Sequence, residues 1–390
     1  MGYTCLKNAR IFTGYTYLDN GAVIIKDDQI FDVVGTERLN KIVLEEGTKV
    51  IDLNGAMLTA GFIDTHIHGL HGFGTEDGTV ESILGMSEAL IEYGVTSFCP
   101  TVYPQPDEDF LSSLHACRDA IGKEKGAKIR GIHLEGPFIS KEKRGAQKEE
   151  CIKDVDLELM KTFVEETGGN ISIMTVAPEL KNMRQLALYC TKHGIVLSAG
   201  HTSATYEQMV EGMQTGILHS THFFNAMRKL HHRDPGCVGA IMIHPEISCE
   251  LIADGIHVHP SLVKLLLKEK PMDKVVLITD ALKPTKQKCG CLLANKREVY
   301  LTDEDIFRHK DDDVIAGSSS TMIGGIKNLS KWGINLEQSL RMASSNPATV
   351  LRMDKTGALI PGMLADITVL DDDFNVKMTI VAGDILLDRL

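Results

Sequence analysis

Hydrophobic positions in the middle of the chain form short runs that alternate with amphipathic segments. Strands that are apolar on both faces and alternate with helices are typical of parallel β/α units. Eight such units favour a closed (β/α)8 barrel, an α/β fold, over an open doubly wound sheet. The eight apolar runs lie at 62–68, 96–101, 129–135, 171–177, 195–201, 219–225, 249–258 and 275–280.

Both ends of the chain are instead rich in short strands separated by turns. Neither set of strands can bury a face alone, so we expect the two ends to pair into one small β-sandwich. The predicted domains are this sandwich, made of residues 1–57 and 356–390, and a catalytic barrel of residues 58–355. The predicted terminal strands are 4–12, 21–26, 29–34, 49–53, 365–370, 377–381 and 383–387.

Composition limits the range of partners. The 390 residues carry a formal net charge of −12, which repels phosphate backbones and argues against nucleic acid or an anionic membrane as a partner. A phosphorylated small molecule would therefore need a local basic pocket. The start of the chain has no apolar signal core, and no apolar run is long enough to span a bilayer.

The cysteines indicate a reducing compartment. Nine cysteines without framework spacing predict free thiols, and hence a cytoplasmic protein. The close pair Cys289 and Cys291, separated by Gly290, has no second pair at zinc-finger spacing, so we assign it no role.

Polar residues lie at the predicted carboxyl ends of several barrel strands, where barrel enzymes keep their catalytic groups. One such residue is usually structural, but burying six of them is costly unless they share a partner, and a metal ion is the simplest one. Imidazole and carboxylate without thiolate favour zinc, iron(II), manganese or cobalt. The six candidate ligands are His66, His68, Glu135, His201, His222 and Asp280.

Several segments carry a resemblance to a known family. They lie at 61–69 (GFIDTHIHG), 133–138 (HLEGPF), 199–202 (AGHT), 221–227 (THFFNAM), 253–257 (ADGIH), 279–281 (TDA), 316–318 (AGS) and 357–366 (GALIPGMLAD). Over nearly its whole length the chain resembles the N-acetylglucosamine-6-phosphate deacetylases of the amidohydrolase superfamily. The resemblance implies hydrolytic removal of an acetyl group from a phosphorylated amino sugar. Segment 283–314 matches the family poorly, which leaves its role open.

The resemblance also implies roles for the candidate ligands. Glu135, His201 and His222 would hold one divalent metal, while His66 and His68 with Asp280 would complete a second position. Some family members work with one metal, so one or two ions per chain are expected. Asp280 would also act as the general base for water and then as the acid for the departing amine.

Further residues are assigned to the substrate by resemblance. His257 would polarise the acetyl carbonyl, and Gln147 would contact a sugar hydroxyl. The backbone amides of Asn225 and Ala226 would bind the phosphate. Arg233 would bind the phosphate across the interface of a homodimer.

Alternatives remain at this level. N-acetylgalactosamine 6-phosphate differs from the expected substrate in the configuration of one hydroxyl group, and sequence motifs do not distinguish the two sugars. A cyclic amidase is disfavoured because such enzymes commonly bridge two metals with a carbamylated lysine after the fourth strand, where this chain has Pro178 and Glu179. A non-catalytic sugar-phosphate sensor would have no need of the general base Asp280.

Overall fold

The fold is taken from a computed structural model that describes residues 2–287 and 290–390. Cys289, one half of the cysteine pair to which no role is assigned, lies outside the described residues. Cys291 is exposed and has a free thiol.

The N-terminal stretch forms the first half of a mixed sheet. A ten-residue first strand pairs antiparallel with the second strand and parallel with the fourth and fifth. Its register shifts beside Ala9, and such irregularities bend a strand. These elements are β1 (Tyr3–Phe12), β2 (Tyr17–Lys26), β3 (Gln29–Gly35), α1 (Thr36–Leu39), β4 (Lys49–Asp52) and β5 (Met57–Ala60).

A parallel barrel occupies the middle of the chain. Its strands are β6 (Phe62–Ile67), β9 (Val95–Val102), β11 (Ile132–Glu135), β12 (Ile171–Val176), β13 (Val196–Ala199), β14 (Ile217–Ser220), β15 (Ser248–Ile252) and β16 (Val275–Ile278), with the small strands β7 (Gly69–Leu70), β8 (Phe73–Gly74) and β10 (Lys128–Ile129) beside them. Each barrel strand pairs with the next in this order. Asp280 N–H donates to the carbonyl of His66 at 2.9 Å, which joins the last strand to the first. The predicted barrel is confirmed.

The sixth barrel strand differs from its prediction. The apolar run at 219–225 predicts a strand there, but β14 ends at Ser220. His222 and Phe224 have positive φ values of 27° and 80°, which an extended strand does not allow. Residues 221–225 therefore form a turn over the barrel mouth instead of a strand.

Helices lie between the barrel strands along the chain, and three more helices follow the last barrel strand. Several begin at a side-chain cap, with Thr79, Asp156 and Thr321 accepting hydrogen bonds from first-turn N–H groups. In the described ranges, no helix combines the length and the apolar character needed to cross a bilayer. The helices are α2 (Val80–Leu90), α3 (Asp107–Ala120), α4 (Leu157–Glu166), α5 (Met183–Lys192), α6 (Tyr206–Met213), α7 (Gly236–Ile243), α8 (Pro260–Glu269), α9 (Met322–Lys331), α10 (Leu336–Ala343) and α11 (Ser345–Val350).

Segment 283–314, read as a loop of open role, contributes to a separate antiparallel sheet. Its strands are β17 (Leu293–Ala294), β18 (Arg297–Leu301), β19 (Ile306–His309) and β20 (Ile315–Ser318). Glu76 of the barrel is buried and accepts hydrogen bonds from the N–H groups of Asn295 and Lys296 at 2.6 and 3.4 Å. We call residues 283–318 the insert. The hydrogen bonds to Glu76 anchor the insert to the barrel.

The chain then returns to the terminal sheet through β21 (Ile367–Leu370), β22 (Val376–Val381) and β23 (Asp384–Asp388). β21 pairs antiparallel with β5, a strand that the sequence patterns did not predict because all four of its residues are buried. Inward side chains of both chain ends form one core, including Leu6, Ile25, Leu58, Val369 and Ile380. This shared core confirms the expected sandwich.

Candidate metal centre and substrate pocket

The structure brings the six candidate ligands together at the carboxyl end of the barrel. All six side chains are buried, as expected for groups at the bottom of a barrel mouth. Oε1 of Glu135 lies 3.1 Å from the Nε2 atoms of both His201 and His222. The two Nε2 atoms are also 3.1 Å apart.

A second group of ligand atoms lies beside the first. The Nε2 atoms of His66 and His68 are 3.3 Å apart and lie 3.4 and 3.3 Å from Oδ1 of Asp280. The carboxylate of Glu135 faces both histidines, at 3.6 Å from His66 and 3.5 Å from His68. Glu135 therefore stands between the two groups.

Hydrogen bonds at Nδ1 fix the ring orientation of two of the histidines, so that their Nε2 atoms point into the cluster. His68 Nδ1 lies 3.0 Å from the carbonyl of Thr101, and His201 Nδ1 lies 2.9 Å from the carbonyl of Lys143. A carbonyl only accepts, so each Nδ1 carries the proton and each Nε2 keeps a lone pair in the neutral ring. Lone pairs that face one another at the Nε2···Nε2 distances seen here repel unless a cation lies between them. The donor set therefore fits a divalent cation.

The carboxylates give the cluster a negative potential. Burial opposes protonation of His66, yet the charges of Glu250 and Asp280 outweigh it and raise its pKa to about 10. Burial also opposes ionisation of Glu135 and Asp280, but the neighbouring histidines lower the pKa of both carboxyls. A bound cation would be stabilised by the same negative potential that otherwise favours protonation of the histidines.

Sequence reasoning missed Glu250, a fully buried carboxylate behind the ligands. Its Oε2 lies 2.9 Å from Nδ1 of His66 and accepts a 3.1 Å hydrogen bond from the backbone N–H of His222. Burial raises the pKa of Glu250, but the charge of His66 and side-chain hydrogen bonds from His219 and His66 outweigh burial and lower the pKa. The one available signal was a glutamate inside the apolar run at 249–258, where an unpaired charge would be costly.

Backbone strain is concentrated at the same ligands. His201, His222 and Asp280 have φ values of 46°, 27° and 50°, which are uncommon for residues other than glycine. Each such conformation costs on the order of 1 kcal/mol and persists where the surroundings impose it, often at functional sites. The positive φ values turn these side chains into the barrel mouth directly after strands β13, β14 and β16.

A cavity of about 430 Å³ opens above the ligands, within the usual size range of small-molecule sites. The barrel forms one wall and the insert forms the other. The lining residues are His68, Tyr103, Glu135, Gly145, Ala146, Gln147, His201, His222, Asn225, Ala226, His257, Asp280, Arg308, Asp313, Val314, Ile315, Ala316 and Gly317.

Comparison with known proteins identifies the family. Residues 57–386 match the amidohydrolase family, and residues 5–58 match the NagA composite domain. N-acetylglucosamine-6-phosphate deacetylase of Bacillus subtilis is 34% identical over 97% of this chain and 96% of its own length. The chain belongs to the N-acetylglucosamine-6-phosphate deacetylase family of amidohydrolases. It is a metal-dependent hydrolase.

Solved structures of this deacetylase family agree in fold. The enzyme from Pasteurella multocida has a TM-score of 0.91 at 32% identity, covering 98% of this chain and 99% of that one. A mutant of the enzyme from Mycobacterium smegmatis, solved with N-acetyl-D-glucosamine-6-phosphate, also has a TM-score of 0.91 at 26% identity, covering 99% and 100% of the two chains.

Four of the residues assigned to substrate on family resemblance line the cavity: Gln147, Asn225, Ala226 and His257. Gln147 Nε2 donates to Glu135 at 2.5 Å, while its buried Oε1 has no partner among the described residues. His257 Nδ1 lies 2.6 Å from Oδ2 of Asp254, a carboxylate that sequence reasoning did not assign. Hydrogen bonds from His257 and the backbone overcome burial and lower the pKa of Asp254.

Arg233 is placed differently. Its side chain is exposed and lies outside the lining of the cavity of its own chain. Its Nη1 contacts Nε2 of His232 at 2.8 Å. Within a single chain the structure therefore does not bring Arg233 to the other predicted substrate residues.

Proposed function

We propose that this amidohydrolase removes the acetyl group of N-acetylglucosamine 6-phosphate and releases glucosamine 6-phosphate and acetate, as a cytoplasmic step of amino-sugar catabolism. The observation that carries the proposal is the position of Asp280. Its Oδ1 lies within 3.4 Å of the Nε2 atoms of His66 and His68, at the floor of a cavity sized for a small molecule. The identity of the substrate is inferred from the N-acetylglucosamine-6-phosphate deacetylases to which this chain is similar.

The divalent cation of the family would be held by the six clustered side chains. Glu135, His201 and His222 would form one position, and His66, His68 and Asp280 the other, with one or two ions of zinc, iron, manganese or cobalt. When bound, the cation supplies Lewis acidity that polarises the amide carbonyl and acidifies the attacking water.

Asp280 would handle the protons of the reaction. Because its pKa is lowered, it is a carboxylate near neutral pH and can accept a proton from water. The same proton can then pass to the nitrogen of the departing amine, which makes the amine a better leaving group. His257 would stabilise the developing oxyanion, because it lines the cavity and the Asp254 carboxylate, 2.6 Å from its Nδ1, holds the ring in place.

Three further contacts would select the substrate. The unpartnered Oε1 of Gln147 would accept from a sugar hydroxyl, and the backbone amides of Asn225 and Ala226 would bind the phosphate. Arg233 would reach the phosphate from the partner subunit of a homodimer, because it lies outside the cavity of its own chain. In this proposal, residues 1–57 and 356–390 form the supporting sandwich, and residues 58–355 carry the chemistry.

The direct test is acetate release by the purified protein. It is supplied in turn with zinc, iron(II), manganese and cobalt, and is given N-acetylglucosamine 6-phosphate, N-acetylgalactosamine 6-phosphate and unphosphorylated N-acetylglucosamine. We expect the first sugar to be hydrolysed fastest. Failure to release acetate with every metal, while the phosphorylated sugar still binds, would contradict the proposal and favour a sugar-phosphate sensor.

A further inference from the structure

The charges around the cavity are unevenly distributed. Among the described residues that line it, Arg308 is the only arginine or lysine, whereas Glu135, Asp280 and Asp313 are carboxylates. A phosphate dianion that enters this cavity meets repulsion from those carboxylates unless a cation stands near it. On its own chain, the cationic side chain available for this purpose is Arg308.

Arg308 is held in place by the loop and the strand that follow it. Its Nη1 donates to the backbone carbonyl of Asp313 at 2.6 Å and lies 3.6 Å from the Asp313 carboxylate. Arg308 pairs with Ile315 in the ladder of β19 and β20, and Phe307 beside it is buried in the core of the insert. In the described ranges, its Nε and Nη2 atoms have no protein partner, so these N–H groups remain available to a ligand.

We infer that Arg308 is a phosphate-binding residue that the insert contributes to the active site of its own chain, an inference that rests on the proposed function. A guanidinium presents parallel N–H donors that match two phosphate oxygens, and Nε with Nη2 form such a pair. Asp313 orients the guanidinium through Nη1 without covering that edge. Arg308 lines the same cavity as Asn225 and Ala226, so in this inference the phosphate is held from the insert as well as from the barrel.

The insert offers a matched control. Arg297 lies on β18, and its Nη2 contacts Asp311 at 2.6 Å and Asp312 at 2.8 Å. It does not line the cavity. A replacement at Arg297 therefore removes the same charge from the same sheet without removing a group that faces substrate.

The test compares Arg308→Gln with Arg297→Gln in the full-length, metal-loaded enzyme. The kcat and KM values are measured on N-acetylglucosamine 6-phosphate and on N-acetylglucosamine. We expect Arg308→Gln to lower kcat/KM for the phosphorylated sugar by about 10- to 150-fold, mostly through KM, because the charge-assisted contact with the phosphate is lost. Activity on the unphosphorylated sugar should stay within about threefold, and Arg297→Gln should resemble the parent on both sugars.

Binding separates this inference from the proposed function. The Kd values for glucosamine 6-phosphate and for glucosamine are measured on the parent, Arg308→Gln and Arg308→Lys, and circular dichroism checks that each is folded. We expect Arg308→Gln to weaken only the phosphorylated sugar, with Arg308→Lys intermediate. Equal losses on both sugars, or no loss, would overturn the role of Arg308 even if the parent is an active deacetylase. If the parent released no acetate, the proposed function would fail, whereas a phosphate-specific binding loss at Arg308 would stand.

Discussion

The Nδ1 atom of His66 lies 2.9 Å from a carboxylate oxygen of Glu250, and neither side chain is exposed to solvent. The same oxygen accepts the backbone N–H of His222 at 3.1 Å. Glu250 thus contacts one residue from each of the two ligand groups. Because it holds the proton of His66 on Nδ1, it leaves Nε2 as the nitrogen that a metal ion would bind in place of a proton.

Replacing Glu250 with Ala should weaken metal binding. Loss of such an outer partner typically costs about 10- to 100-fold in metal affinity or activity. We expect this loss at the position that contains His66, measured as the Kd for zinc in competition with a chelator. Glu250→Gln keeps an acceptor oxygen and should lose less.

Glu76→Ala is the control for Glu250→Ala. Glu76 is also a buried glutamate, but it contacts backbone N–H groups of the insert and none of the metal-site residues. Its replacement should leave the zinc Kd near that of the parent. A zinc Kd for Glu250→Ala equal to that of Glu76→Ala would contradict the positioning role.

The sequence was enough to predict the barrel and its ligands because both follow from local patterns. Strands buried on both faces are apolar runs, and the barrel geometry places polar residues at their carboxyl ends in one mouth. Glu250 lies inside a strand and not at its carboxyl end, so the apolar run around it indicates only that this glutamate has a partner. Its role depends on His66, which is distant in the chain. Arg308 lies in a segment of short antiparallel strands, whose position over the cavity depends on tertiary contacts such as that of Glu76.

Replacing Asp280 with Asn should remove most turnover. Asn cannot accept the proton of water, and general acid–base catalysis contributes about 100- to 10,000-fold. Folding should be largely retained, since the barrel-closing hydrogen bond at this position comes from the backbone N–H of Asp280. The kcat of a metal-loaded sample checks this, and a decrease of less than tenfold would exclude Asp280 as the general base.

The number of metals can be tested at His66 and His68. If they complete a second position, metal-reconstituted parent should contain about two ions per chain, and replacement of both with Ala should remove one. The group of Glu135, His201 and His222 should keep the other ion. Elemental analysis gives the metal content of the parent and of the double variant. A content of one ion per chain in both proteins would mean that these histidines have a structural role or contact the substrate.

Glu76 should make stability depend on pH. Burial raises its pKa in the folded protein, and the N–H groups of Asn295 and Lys296 offset this only in part. Because the folded-state pKa is raised, protonated Glu76 contributes to the free energy of unfolding. This contribution is complete below the unfolded pKa of about 4.3 and is lost as pH rises through the folded pKa. Glu76→Gln does not ionise, so its free energy of unfolding should increase relative to the parent over that rise. Denaturant titrations at several pH values test this, and a difference that decreased with pH would refute it.

Arg233 provides a test of assembly, because its side chain is exposed and lies outside the cavity of its own chain. If it binds phosphate in the partner subunit, Arg233→Ala should lower kcat/KM for the phosphorylated sugar by about 10- to 150-fold while sparing the unphosphorylated sugar. Mixing Arg233→Ala chains with Asp280→Asn chains should then restore activity. Random pairing makes half of the dimers hybrid, and each hybrid contains one site with both residues intact, so about a quarter of parental activity is expected. Mixed chains that exchange subunits, yet recover no more than the sum of the separate variants, would show that Arg233 does not act across an interface.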